Sequence, residues 1–414
     1  MRVKRSRTTT ENAEFDSPRA SVLPENGGNL LLLKIEKHEL SLESAVSLNH
    51  DRDNGFGAPV LAVCGFSGSG KTTLLEAAIP MLVERGLSVA VVKHDAHGFE
   101  VDKPGKDSDR LFRAGATISL RGPRQQFERR GAGAGLSLES TLARLGRDHD
   151  LLLVEGHKDT ALPKLWLGGA ERPDAPEEVT GIVATLPWNS GRLAAFMEYV
   201  ERWLPVAWNA RPLYGGLLLG GLGVRMGSPK QIVRFGGRAL GEIVAKALGD
   251  GLESHKTVML GSGVLPESLA SLARLADPPG FAGPGAGLIA AHRWAPEAAW
   301  IVAACDHPWV CSAHVEWLAA QRQPGRWAVI PKQRDGHPCP MLALYEPQAL
   351  EAMERLACAD PEHNARAAVL LDIPRTLILQ PPDELADGWK NVNTPEELRN
   401  EEERLALVNK RAGK

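Results

Sequence analysis

Long apolar runs are missing from this chain: no stretch approaches the ~18 residues of a membrane-spanning helix, so no span is predicted. The first residues are basic and polar, with Arg2, Lys4, Arg5 and Arg7 ahead of Thr8, Thr9 and Thr10, and they lack the apolar core of a signal peptide. Glu11, Glu14 and Asp16 come too early for a transit peptide. A charge excess is also missing, since 48 Lys and Arg face 51 Asp and Glu for a net −3, and nothing global argues for a nucleic-acid or membrane partner. Cysteine is scarce, five in 414 residues, which fits reduced thiols rather than a disulfide framework. The expectation is a cytoplasmic protein with neither nucleic acid nor membrane as a partner, long enough for two or three domains.

What is present begins with an apolar run, Val60 to Cys64, that ends in Gly65-Phe66-Ser67-Gly68-Ser69-Gly70-Lys71-Thr72-Thr73. A glycine, four free positions and then Gly-Lys-Thr, between a buried strand and a helix, is a phosphate-binding loop. Gly65, Ser67, Gly68, Ser69 and Gly70 are small enough for successive backbone N–H groups to point at phosphate oxygens, and the following helix adds its positive end. Lys71 would reach the outer phosphates and Thr72 would hold Mg²⁺ through its hydroxyl, while Thr73 sits one residue further round the helix, either as a nucleotide-binding residue or only to cap or pack. The helix is expected to run to Arg85 with an interruption at Pro80, and Ser88 to Lys93 reads as a parallel core strand.

Loop chemistry follows that strand, Lys93-His94-Asp95-Ala96-His97-Gly98-Phe99 and then Asp102 to Ser108, at the edge where open α/β sheets bind ligands. A carboxylate such as Asp95 or Asp107 there could hold Mg²⁺. From Lys103 to Arg130 the chain is basic, which suits an anionic partner or an ordinary solvated face alike. Asp150 to Val154 is a further buried strand, and Glu155 at its end is placed to meet the nucleotide magnesium or its water. Together with the loop, the segments Val-Val-Lys-His-Asp-Ala-His-Gly-Phe, Asp-Lys-Pro-Gly-Lys-Asp-Ser and Leu-Leu-Leu-Val-Glu-Gly-His-Lys resemble MobB, the GTP-binding adaptor of molybdopterin-guanine dinucleotide biosynthesis, across roughly residues 59 to 170. The resemblance implies a nucleotide-binding domain, weakly hydrolytic at most, that assists a partner enzyme. His157 stands where that family usually has phenylalanine.

Two prolines, Pro205 and Pro212, discourage helix and strand around Trp203 to Pro212, and a domain junction is expected there. Leu217 to Leu219 then reads as a strand feeding Gly220-Gly221-Leu222-Gly223-Val224-Arg225-Met226-Gly227-Ser228-Pro229-Lys230. This loop lacks the Gly-Lys-Thr ending, so either it is a structural turn or it is a cradle of another kind, with Arg225 and Lys230 as fixed positive charges for a triphosphate. Asp277 lies in a polar segment before Gly283 to Gly287. Trp300 to Ala304 is a buried strand delivering Cys305-Asp306-His307-Pro308, and Asp306 is where a metal ligand belongs, because Mg²⁺ needs only one or two acids when a substrate supplies phosphates. Zinc on Cys305, His307, Cys311 and His314 is the weaker reading, since their spacing is not that of a standard ligand set. Pro340 to Tyr345 reads as a strand, Thr394 before Pro395 as a helix N-cap, and the amides of Asn391 and Asn393 could bind ligand or metal.

These segments resemble MobA, the molybdenum cofactor guanylyltransferase, across roughly residues 213 to 400. The resemblance implies that Gly220, Gly221 and Arg225 line the nucleotide loop, Lys230 meets phosphate, Asp277 lies near the nucleotide, Asp306 holds Mg²⁺ and Asn393 helps at the metal or cofactor side. Leu219 for the usual alanine, Pro229 for the usual aspartate and Gly285 for the usual leucine are departures.

The expected fold class is α/β, an N-terminal P-loop NTPase domain and a C-terminal Rossmann-like nucleotidyltransferase domain, both with mainly parallel sheets. The expected division is a mobile leader at 1–58, the adaptor at 59–203, a linker at 204–212, the transferase at 213–400 and a helical or disordered tail at 401–414. The expected reaction is transfer of GMP from GTP to molybdenum-molybdopterin with release of pyrophosphate, with catalysis resting on Arg225, Lys230 and Asp306. Molybdopterin-inserting proteins and molybdoenzyme chaperones are the implied partners. A cytidylyl or other nucleotidyltransferase of the same fold and a non-catalytic GTP-gated cofactor carrier are the alternatives. Fusion is expected to raise the effective concentration of the adaptor beside the transferase.

Overall fold

The structure, a computed structural model, describes residues 55–93, 101–130, 137–220, 226–252, 256–359 and 367–412. Residues 1–54 of the expected leader lie outside the described residues, and so do His94, Asp95, His97, Gly221 and Arg225, while Gly57 and Ala58 at its end are described.

The first half contains β1 (Val60–Gly65), α1 (Lys71–Glu84), β2 (Val89–Lys93), α2 (Asp107–Arg113), β3 (Ile118–Arg121), β4 (Gln126–Arg129), α3 (Leu138–Gly146), β5 (Leu151–Glu155), β6 (Lys164–Leu167), β7 (Ile182–Leu186) and α4 (Arg192–Asn209). Five of the strands form a parallel sheet in the order β2-β5-β1-β6-β7, with Val60 to Val63 in register with Leu152 to Glu155. Side chains alternate across a strand, so Leu61 and Val63 of β1 face Leu74, Leu82, Phe196 and Trp203 of α1 and α4, while Ala62 and Cys64 face Leu142 of α3 and Trp166. A strand covered on both faces has no polar alternation, which is why β1 and β5 read as unbroken apolar runs. The β3–β4 ribbon is a separate antiparallel pair.

Neither interior proline breaks its helix. α1 is continuous through Pro80, and α4 runs through Pro205 into the segment expected to be a linker. Both prolines are on exposed positions, where water can take the carbonyl left without its N–H partner. Trp203, Leu204, Ala207 and Trp208 meanwhile bury the inner face of α4.

The second half contains β8 (Leu213–Leu218), β9 (Arg234–Phe235), β10 (Arg238–Ala239), α5 (Leu240–Leu252), β11 (Thr257–Leu260), β12 (Arg274–Leu275), α6 (Pro284–Trp294), β13 (Ala299–Ala304), α7 (Ser312–Ala320), β14 (Ala328–Pro331), β15 (Leu342–Tyr345), α8 (Pro347–Ala359), β16 (Thr376–Leu379) and α9 (Pro395–Ala412). Its sheet has seven strands in the order β12-β11-β8-β13-β15-β14-β16, and β15 alone runs antiparallel to its neighbours. Thr394 caps α9 by accepting from Glu397 N at 3.2 Å, and Glu397 Oε2 accepts in return from Asn393 N at 2.6 Å, a reciprocal cap.

The two sheets are joined through the amino edges of their parallel strands. Asp150, fully buried just before β5, accepts from Ser88 N at 2.7 Å, from Trp327 Nε1 at 2.8 Å and from Arg375 Nη1 at 2.9 Å. Ser88 precedes β2, Trp327 precedes β14 and Arg375 precedes β16. Gln348 Nε2, at the start of α8, donates to Gly57 O at 2.7 Å and reaches Gly146 O and His149 O, each at 3.1 Å. Glu346, also fully buried, accepts from Trp208 Nε1 at 3.1 Å, Arg322 Nε at 2.9 Å and Arg211 Nη2 at 2.7 Å, and Arg211 also donates to Gly57 O. The carboxyl edges, where ligands of such sheets bind, therefore lie on the far sides of their sheets from the seam. With strands of five or six residues, each carboxyl edge stands about 16–20 Å from it.

Burial works to raise the Glu346 carboxyl, but Arg322 and Arg211 outweigh it and hold the group below the ordinary carboxylate value. Its stabilisation is therefore present above the unfolded pKa and lost only as pH falls through the lower folded one. Glu346→Gln leaves two buried guanidinium groups without their carboxylate and should cost about 3–5 kcal/mol. Urea unfolding at neutral pH measures this, and the gap between variant and parent should close in strong acid.

Candidate functional site

The first candidate site is the turn between β1 and α1. A Cβ on Gly65 would stand 2.5 Å from Ser69 Oγ and 2.7 Å from Leu167 O, so the chain can close there only without a side chain. Gly68 and Gly70 take left-handed backbone angles, φ 76° and 79°, that glycine adopts without strain. Lys71 folds back over the loop, its Nζ donating to Phe66 O at 2.9 Å and Gly65 O at 3.3 Å. Burial lowers its ammonium from the ordinary value, and Glu155 opposes that shift. Ser69 Oγ is buried without a hydrogen-bond partner inside the turn, an orphan hydroxyl of the kind a phosphate oxygen satisfies.

Thr72 and Glu155 come together as their sequence positions suggested, with Thr72 Oγ1 donating to Glu155 Oε1 at 2.9 Å. Lys93 Nζ stands 3.4 Å from the same oxygen. Lys158 lies 4.9 Å above the Phe66 ring and Arg172 5.4 Å from it, so the loop is ringed with cations. Ser67, Gly68 and Thr73 are exposed on its rim. Asp107, by contrast, begins α2 as an exposed residue 3.9 Å from Arg110. Part of the basic segment is spent internally, since Arg113 and Arg129 both bond the buried Asp109.

Arg192 escaped sequence reading. It begins α4, is buried, and donates to Ser69 O at 2.7 Å, Pro187 O at 2.8 Å, Leu186 O at 3.1 Å and Gly168 O. One guanidinium thus fastens the phosphate loop to the ends of β6 and β7. No sequence motif marks an arginine whose partners are all backbone carbonyls.

The second site is at the carboxyl edge of the other sheet. Lys230 Nζ donates to Asp306 Oδ2 and to Asn393 Oδ1, both at 2.8 Å. The three residues are far apart in the chain and arrive from the loop after β8, the end of β13 and the turn before α9. Val392 N holds that turn in place by donating to Asp306 O at 2.9 Å. Asp306 Oδ1 is buried without a hydrogen-bond partner, and the buried His307 Nε2 stands 3.6 Å from it. Asp277 lies on the surface two residues past β12, beside Gly261 and Arg274 rather than in this cluster, and the partial loss of water around its carboxyl raises it against the pull of Arg274. Gly220 is exposed, with open space where a Cβ would stand.

The four residues of the weaker zinc reading do not converge. Cys305 Sγ donates to Leu218 O at 3.3 Å, His307 meets Cys339 at 3.7 Å, and Cys311 meets His314 at 3.1 Å. Among the described residues no group of three or more His, Cys, Asp or Glu could hold a metal ion. No described helix is long and apolar enough to cross a membrane.

Comparison with known proteins covers the segments that carry most of these residues. Residues 60–185 match the model of molybdopterin guanine dinucleotide synthesis protein B, MobB. The molybdopterin-guanine dinucleotide biosynthesis adapter protein of Haemophilus influenzae is 35% identical over 159 residues, 35% of this chain and 89% of that protein. The chain belongs to the MobB family. Beyond the MobB segment, residues 215–373 match the MobA-like NTP transferase domain. A probable molybdenum cofactor guanylyltransferase of Bacillus licheniformis is 28% identical over 43% of this chain and 89% of its own length. A molybdenum cofactor biosynthesis bifunctional protein of Synechocystis is 28% identical over 45% of this chain and 52% of that one. The phosphate loop and Glu155 fall in the MobB segment, and Lys230 and Asp306 in the transferase segment; Asn393 lies past the matched residues.

Gly65→Ala should abolish nucleotide binding at the loop while leaving the sheet folded, because the added methyl meets backbone at Leu167. Equilibrium dialysis with labelled GTP reads the first, and circular dichroism the second. Lys71→Ala should weaken the same binding without opening the loop.

Proposed function

We propose that this chain makes molybdopterin guanine dinucleotide, its transferase half moving GMP from GTP to molybdenum-molybdopterin while its MobB half holds a second GTP. The observation that carries the reading is the cluster of Lys230, Asp306 and Asn393 at the carboxyl edge of a sheet matched by the MobA-like transferase model. The terminal phosphate oxygen of molybdopterin attacks the α-phosphorus in line; a P–O bond forms, the α–β bridge breaks, and its electron pair leaves with pyrophosphate. That nucleophile is already an anion, so the site needs no strong base. Positioning and charge neutralisation carry the rate. Lys230, released from Asp306 and Asn393, turns its ammonium to the phosphates. Asp306, whose Oδ1 makes no hydrogen bond, and Asn393 would hold Mg²⁺, which when bound supplies further charge neutralisation at the phosphates.

In the MobB half, Ser69, Lys71 and the loop N–H groups hold the phosphates, and Thr72 and Glu155 would hold a second Mg²⁺. Its edge lies across the sheet from the seam, open to a separate protein, and hydrolysis there is slow. We place the activity in the cytoplasm.

Incubating the chain with Mg²⁺, molybdenum-molybdopterin and GTP, CTP or ATP, and weighing the product by mass spectrometry, tests this reading. The guanine dinucleotide should form only with GTP, and a cytosine product would replace the proposal with the sister activity. Asp306→Ala should slow transfer by roughly a hundredfold or more, and an undiminished rate would sink the site assignment. Lys71→Ala should leave transfer from free substrates intact, since its loop faces away from the transferase.

A further inference from the structure

Trp188 is 52% exposed, an unusual position for the side chain with the most apolar surface to hide. It stands just past the end of β7, at the carboxyl edge of the MobB sheet. Its indole is not loose there. A Cβ built on Gly70, the last glycine of the phosphate loop, would lie 3.7 Å from indole Cζ3, and the Arg192 guanidinium lies 5.1 Å from the ring centroid. Arg192 also bonds the backbone on both sides of the contact, at Pro187 O and Ser69 O. The turn that carries the ring is closed by Gly191 N donating to Asn189 Oδ1 at 3.0 Å.

Strand order says which end of a nucleotide would meet this ring. Glu155 ends β5 on one side of β1, and β7 lies on the other side beyond β6. Thr72, Glu155 and Lys93 gather on the β5 side, which suits the outer phosphates and their cation. The nucleoside end then leaves the loop toward β6 and β7, where Trp188 is a large exposed aromatic beside the loop.

We propose that Trp188 is the platform on which the base of the loop-bound nucleotide stacks. This rests on the reading that the loop holds GTP. Stacking uses the π-face that every base has, so Trp188 adds affinity for a nucleoside triphosphate over a bare polyphosphate without choosing among purines. The Arg192 charge against the indole keeps the platform oriented and adds to its hold on the loop.

Calorimetric titration of the full chain with GTP and with inorganic tripolyphosphate, in the parent, Lys71→Ala, Trp188→Ala and Trp188→Phe, tests the proposal. The Lys71-dependent part of each isotherm defines the loop site. Trp188→Ala should weaken GTP there by roughly tenfold to a hundredfold and leave tripolyphosphate unchanged, and Trp188→Phe should restore most of the loss. Unchanged GTP affinity in Trp188→Ala would overturn the proposal. So would an equal loss for both ligands, which would make the indole a prop for the loop. If neither ligand shows Lys71-dependent binding in the parent chain, the reading of the loop as a nucleotide site fails, and the platform with it.

Discussion

The buried carboxylate of Asp150 determines how the two halves can work. It accepts three hydrogen bonds, one from its own half and two from the other, so it is satisfied only when the two sheets meet along their amino edges. A buried charge without such partners is costly. The geometry that satisfies Asp150 is therefore also the one that holds the seam. Glu346 repeats the arrangement with Arg322 and Arg211, and Arg211 carries it across to Gly57.

That constraint corrects a simple view of why the halves are joined. Tethering raises the concentration of one site at another only where the geometry lets them engage, and here each ligand edge is turned from the seam. Only residues 210–212 separate α4 from β8, too few to let one half swing round to the other's site. Joining fixes the stoichiometry of the two halves, and the loop edge of the MobB half lies away from the seam.

In the proposed function the two sites apply the same charge to phosphate by different means. In the phosphate loop the backbone is the receptor, glycines give it shape, and Lys71 rests on loop carbonyls. In the transferase half side chains are the receptor, and Lys230 rests on a carboxylate and an amide. Lys71 is held by neutral carbonyls of its own loop, Lys230 by a charge-assisted bond to Asp306 and an amide, and each would exchange these acceptors for phosphate oxygens. The loop is built from neighbours in sequence; the clamp is built from three distant segments.

Local interactions were legible in the chain alone. Gly65 to Thr72 announce their turn because the cradle is made of consecutive residues, the apolar runs of β1 and β5 follow from burial on both faces, and Thr394 before Pro395 marks the start of α9 because capping is confined to one turn. Asp306 and Asn393 could each be picked out by position, but their meeting on Lys230 is a fact of strand order. Pro80 and Pro205 misled because a proline's cost depends on whether its helix face meets water, which a local pattern does not record. Arg192 and Trp188 carry no motif, since one bonds only backbone carbonyls and the other is defined by its contact with Gly70. The sequence by itself determined the phosphate-loop turn, whose residues are consecutive; only the tertiary structure brought Lys230, Asp306 and Asn393 together and turned the two carboxyl edges away from each other, because these follow from strand order and from which buried charges find partners across the seam.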